Sequence, residues 1–161
     1  MNADPCCLPP NGPTPGAIAP QPGDRSPGPG GNARILVVDD DPDVLRVLGG
    51  ALQLFDYRVD LAGDGGVGWE ALCANSYDLV ITDHMMPRLT GLELLRRLRT
   101  VRLDLPCILI SGDLPAVEPD LSLVLRPGRA VEKPVKLESL LTMVRSLLAA
   151  HPIRAAVAQP G

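Results

Sequence analysis

The strongest constraint on the fold is a rhythm. Short apolar runs, each closing on a polar residue, alternate with longer amphipathic stretches. Arg34 to Val38 reads as a strand and ends at Asp39, Asp40 and Asp41; Asp78 to Thr82 ends at Asp83; Pro106 to Ser111 carries its own terminal hydroxyl. Tyr57 to Ala62 and Arg129 to Val131 supply two more strands, the last followed by Glu132 and Lys133. Between them, helices are expected over Pro42 to Phe55, with Asp41 as cap and proline in the first turn, over Gly66 to Ala74, and over Leu92 to Arg99. In the last helix, Leu137, Leu140, Leu141, Val144, Leu147 and Leu148 recur at spacings of three and four and so share one face. Strands that alternate with helices predict an α/β fold, a doubly wound five-stranded parallel sheet.

Two places weaken the pattern. Pro115, Pro119 and Pro127 interrupt the stretch where a fourth helix is due, so that element should be short or irregular. Gly49 and Gly50 each cost the first helix about 1 kcal/mol relative to alanine.

The rhythm occupies residues 33–150. Residues 1–32 hold nine of the 18 prolines and six of the 16 glycines, with little beyond Leu8 and Ile18 to bury, which predicts a disordered tail. Residues 151–161 lose periodicity and read as a short flexible end. No further folded domain is expected after the last helix. A net charge of −4 without a Lys/Arg cluster disfavours nucleic acid and anionic membrane as partners. The longest apolar runs fall far short of the roughly 20 residues that span a bilayer, and no secretory signal opens the chain, so a cytoplasmic address is expected. Of the four cysteines, Cys6 and Cys7 are adjacent and Cys73 and Cys107 lie within periodic segments; reduced thiols and no structural zinc are expected.

In a parallel sheet, the polar residues at the strand ends converge on one rim, where ligands bind beside a topological switch point. Asp39, Asp40, Asp41 and Asp83 would repel one another there unless a hard divalent cation sat among them, and Mg2+ takes oxygen ligands of this kind. A carboxylate beside Mg2+ can attack phosphorus, and the charge that develops calls for donors such as the Ser111 hydroxyl and the Lys133 ammonium. Taken singly, each residue has a plainer reading: a helix cap, a strand end, a solvated charge. Their joint appearance at successive strand ends favours a site.

These residues resemble the response-regulator receiver family: ILVVDDDP at 35–42, ITDHMMPRLTG at 81–91, ILISGD at 108–113 and EKP at 132–134. The separations fit as well, with 43 residues from Asp40 to Asp83, 28 to Ser111 and 22 more to Lys133. The resemblance implies a flavodoxin-like three-layer sandwich. It implies that Asp39 and Asp40 hold Mg2+ together with Asp83 and the backbone carbonyl of Met85, and that Asp83 is the phosphoacceptor. Ser111 would be the switch hydroxyl, Lys133 would pair with the phosphoryl group, and the Lys133–Pro134 bond would be cis. A histidine kinase or histidine phosphotransfer protein would donate the phosphoryl group, and a downstream protein would read the switch. The chain would be no enzyme beyond its own phosphoryl transfer and dephosphorylation.

Ala130 departs from the aromatic residue the family often carries three positions before its lysine, so aromatic-rotamer coupling to Ser111 is not available to this chain. Met85 and Asp113 stand two residues beyond the acceptor and the switch hydroxyl, where similar proteins tune water access; Asp113 reads equally as a cap. His84 reads as an exposed loop residue and Trp69 as helix packing. Two alternatives compete: a phosphatase of the haloacid-dehalogenase type, with Asp39 and Asp41 as its paired aspartates, and a binding module that keeps the fold and signals without phosphorylation. The first lacks an acidic pair after Lys133, since only Glu138 follows.

Overall fold

A computed structural model describes residues 32–101, 104–113 and 120–151. The tail expected over 1–32 therefore falls, except for Asn32, outside the described residues, as do Cys6, Cys7, Pro115, Pro119 and the end expected beyond His151. Five strands, β1 (Arg34–Val38), β2 (Arg58–Ala62), β3 (Leu79–Asp83), β4 (Cys107–Ser111) and β5 (Gly128–Glu132), alternate with helices α1 (Pro42–Gln53), α2 (Gly65–Ala74), α3 (Gly91–Val101), α4 (Leu121–Val124) and α5 (Leu137–Ala150). All strand pairings are parallel and the sheet order is β2-β1-β3-β4-β5. The chain thus moves outward from β1 to β2 and then returns past β1 to β3, which puts the switch point between β1 and β3.

Period-two alternation explains why the strands sit in the middle. Ile35 and Val37 join Leu79, Ile81, Ile108 and Ile110 in one core layer with α1 and α5. Leu36, Val38, Val80 and Leu109 face the other way and pack with α2, α3 and α4. Both faces are covered, which is why β3 and β4 are buried at all five positions and read as continuous apolar runs. Trp69 is half-buried against the second layer, as helix packing predicts.

The ends of the elements differ modestly from the pattern. The first helix stops at Gln53, two residues early; Asp56 has φ 63 and the Tyr57 N–H bonds back to the Leu52 carbonyl, so the chain turns before β2. The third strand runs one residue further than predicted and includes Asp83. The fourth helix is a single turn, and Arg126–Pro127 after it is cis. Gly49 has a packing reason: a Cβ there would stand 3.0 Å from Leu61 Cδ2. Gly50 has open space around it.

Candidate functional site

The register levels the carboxyl ends of three central strands. Val38 pairs with Thr82, so Asp39 and Asp83 follow at one height on neighbouring strands. Ser111 pairs with Glu132, which places Lys133 one residue beyond the end of β5, and the Lys133 N–H donates to the Ser111 carbonyl at 2.7 Å. The bond from Lys133 to Pro134 is cis, as the resemblance implies.

The side chains converge where the backbone aims them. Lys133 Nζ lies 2.6 Å from Asp83 Oδ1, and the Asp83 side chain is only 3% exposed. Asp39 is equally buried, at 2%. Burial pushes the Asp39 carboxyl above its ordinary value, and the Asp83 charge adds to this; the Asp41 N–H, which donates to Asp39 Oδ1 at 2.9 Å, and Lys133 pull the other way. The hydrogen bond to Asp83, with that carboxylate's charge, holds the Lys133 ammonium above its usual range despite partial burial. Asp40 is exposed at the rim.

Asp41 is drawn elsewhere. Its Oδ1 accepts from the Asp43 N–H at 2.8 Å and caps α1, so the Asp39/Asp41 pairing that a haloacid-dehalogenase site would use is not assembled. Ser111 is fully buried; its hydroxyl donates to the Asp113 carbonyl at 2.5 Å and accepts from the Asp113 N–H at 3.3 Å, turning the start of the β4–α4 segment back on itself. Met85 lies in the loop after β3 with its side chain exposed.

His84 corrects an expectation. It is half-buried, not exposed, because its backbone continues the strand pairing: its N–H donates to Ile110 O at 2.7 Å and its carbonyl accepts from Met86 and Gly91. Its Nδ1 is buried with no hydrogen-bond partner among the described residues. Gly91 is where the loop closes; a Cβ there would overlap the Asp83 carbonyl, so any larger residue would displace the strand end that carries the acidic side chain.

The donor set fits magnesium. Two buried carboxylates and a third at the rim face one ammonium, and among the described residues no three His, Cys, Asp or Glu side chains gather into a full cage. Mg2+ suits such a set, since it binds through one or two carboxylates and keeps several waters.

The model of the response regulator receiver domain family matches residues 35–145. The chain belongs to the response-regulator receiver family. Response regulator MprA of Mycobacterium sp. (strain KMS) is 40% identical over 115 residues, 71% of this chain and 50% of the relative. The chain thus spans about half the length of the curated relatives it matches. Among solved structures, response regulator protein TrrA from Thermotoga maritima, in complex with Mg(2+)-BeF, is 32% identical with a TM-score of 0.66, covering 72% of this chain and 99% of that one. The Francisella response regulator 1452 receiver domain is 28% identical with a TM-score of 0.66, over 74% and 99%. Receiver domains are signalling switches of two-component systems that depend on phosphorylation, and the five-stranded sheet here is theirs.

Asp83 and Ser111 end strands, and Asp39 and Lys133 each stand one residue beyond one, which is why their placement is legible in the sequence. Sequence reasoning passed over Arg88, which reaches across to Asp64, the buried cap of α2. It also passed over the box that opens α3, where Thr90 N–H donates to Glu93 Oε2 at 2.9 Å and Glu93 N–H to Thr90 Oγ1 at 3.2 Å. The T-x-x-E spacing was its available signal. No spacing signals the Arg88 pair.

Proposed function

We propose that Asp83 accepts a phosphoryl group from a histidine kinase or histidine phosphotransfer protein, and that residues 33–150 are the switch this controls. The 2.6 Å contact between Lys133 Nζ and Asp83 Oδ1, beside buried Asp39, carries the reading. An Asp83 carboxylate oxygen attacks phosphorus; the bond from phosphorus to the donor's imidazole nitrogen breaks, and that nitrogen takes up a proton. Asp39, Asp40, Asp83 and the Met85 carbonyl would hold Mg2+, which supplies charge neutralisation at the phosphoryl oxygens. Lys133, already at the acceptor oxygen, then pairs with a phosphoryl oxygen. Ser111 exchanges its bond to the Asp113 carbonyl for one to the phosphoryl group and so releases the start of the β4–α4 segment. With Ala130 half-buried in β5, no aromatic rotamer relays that release, and α4 itself is the element that responds. The signal passes to a downstream protein in the cytosol by contact.

The test is intact mass after incubation with acetyl phosphate, with and without Mg2+. One Mg2+-dependent phosphoryl adduct that Asp83→Asn abolishes is expected. No adduct on the wild-type protein would favour a module that binds without phosphorylation, and an adduct on Asp39 with turnover of a phosphate ester would favour a phosphatase.

A further inference from the structure

One carboxylate does two jobs where α2 meets the loop after β3. Asp64, 8% exposed, accepts the Val67 N–H on Oδ1 at 2.9 Å and so caps α2. Its Oδ2 pairs with the Arg88 guanidinium. Arg88 belongs to the 84–90 loop that joins Asp83 to α3, and it stands at φ 70, a region glycine enters freely and other residues enter reluctantly. The rest of the loop is held from other sides. His84 N–H is tied to β4, Met86 and Leu89 are buried in the core, and the Leu89 carbonyl lies so close over Gly65 that a Cβ there would overlap it. Met85, whose carbonyl the proposed function makes a magnesium ligand, sits in this loop between the His84 and Met86 anchors.

The guanidinium is mostly exposed, so its pair adds little to global stability. Glycine at 88 would suit the backbone better. The effect of the pair is therefore local: it fixes where the loop lies against α2. We propose that Arg88, through Asp64, is a positioning residue for the magnesium and phosphoryl site, setting the direction of the Met85 carbonyl; this rests on the reading of Asp83 as phosphoacceptor. Groups that orient a metal's ligands from behind typically change its affinity by roughly 10–100-fold when removed.

Three variants of the whole chain test it. Arg88→Gly removes the cation and relieves the backbone; Asp64→Asn keeps a capping oxygen while removing the charge; Arg88→Lys keeps the charge. Mg2+ affinity is read by calorimetry, and amide hydrogen exchange over 84–91 is read in the metal-free protein. The Mg2+ dependence of phosphorylation by acetyl phosphate is the third readout. In Arg88→Gly and Asp64→Asn, the Mg2+ Kd should rise about tenfold, the low end of that range. The loop amides should exchange faster while those of β3 and β4 do not, and saturating Mg2+ should restore the phosphorylation rate. Arg88→Lys should recover most of the affinity. A Kd and loop exchange unchanged in both charge-removing variants would overturn the proposal, as would exchange raised uniformly through the sheet or a wild-type protein that binds no Mg2+. Failure of the wild type to take a phosphoryl group on Asp83 would refute the phosphoacceptor reading alone, because Mg2+ affinity and loop exchange are measured without that step.

Discussion

Cys107 shows how a residue's surroundings settle its chemistry. The thiol is buried under Arg99, whose Nη2 lies 3.0 Å from Sγ, yet desolvation wins over that cation and pushes the thiol up to about 11. Cys73 on α2 is exposed. An alkylating reagent at about pH 8 should therefore label Cys73 and spare Cys107 until denaturant is added, because the thiolate is the reactive form and access limits it further. Peptide mapping after a short pulse reads the difference; equal labelling in the folded protein would contradict the burial. The same logic explains which site residues were legible. The placement of Asp39, Asp83, Ser111 and Lys133 at one rim is legible because a strand end positions a side chain through backbone alone. The partial burial of His84 is not legible in sequence because it depends on a pairing with Ile110, 26 residues away, and the left-handed backbone at Arg88 leaves no trace in a residue type that rarely adopts it.

At the scale of elements, pattern found all ten and erred chiefly at their ends, where capping decides. Gly49 and Gly50 are indistinguishable in sequence, yet only Gly49 is pressed by Leu61. Gly50→Ala should stabilise the protein by about 0.5–1 kcal/mol, the helix-propensity difference, since the new methyl meets nothing. Gly49→Ala should gain less or lose. Paired denaturant titrations separate the two. The short α4 is secured by the helix before it. Arg96 gives Asp120 two hydrogen bonds, at 2.9 and 2.8 Å, and Arg99 Nε donates to the Val124 carbonyl at 2.7 Å, so α3 holds both ends of the single turn. Hydrogen bonds from Arg96 hold the Asp120 carboxyl below its ordinary value, and the Thr90 N–H and hydroxyl do the same for Glu93. Carboxyls lowered on folding contribute stability that is complete above their unfolded values, 3.8 and 4.5, and lost as pH falls through the lower folded ones. Hydrogen exchange in α3 and α4 should therefore accelerate as pH falls through that acid range, beyond the intrinsic pH effect; Asp120→Asn should lose α4's share of the response.

The whole molecule folds around a liability. Asp39 and Asp83 are buried at the adjacent carboxyl ends of β1 and β3, with Asp40 at the rim near them and the Lys133 ammonium paired to Asp83. Burial and mutual repulsion raise the Asp39 carboxyl, a sign that charge there costs folding free energy. In the absence of metal, Asp83→Asn should therefore be more stable than the wild type, on the order of 1 kcal/mol, since it removes one buried charge and leaves Lys133 to the remaining aspartates. Addition of Mg2+ should reverse the order. A cation that binds only the folded chain stabilises it by about 2.7 kcal/mol at a hundred times its Kd, and the variant, having lost a ligand and a charge, should gain much less. Thermal melts of both proteins in EDTA and in excess Mg2+ give the four midpoints needed. A wild type that is the more stable in EDTA would mean that the Lys133 pair already compensates the acidic rim. Equal gains from Mg2+ would mean that the cation binds elsewhere. The crossing of the two orders is the thermodynamic sign of a rim built for a charge that arrives from outside, which is what a phosphorylation switch requires of its resting state.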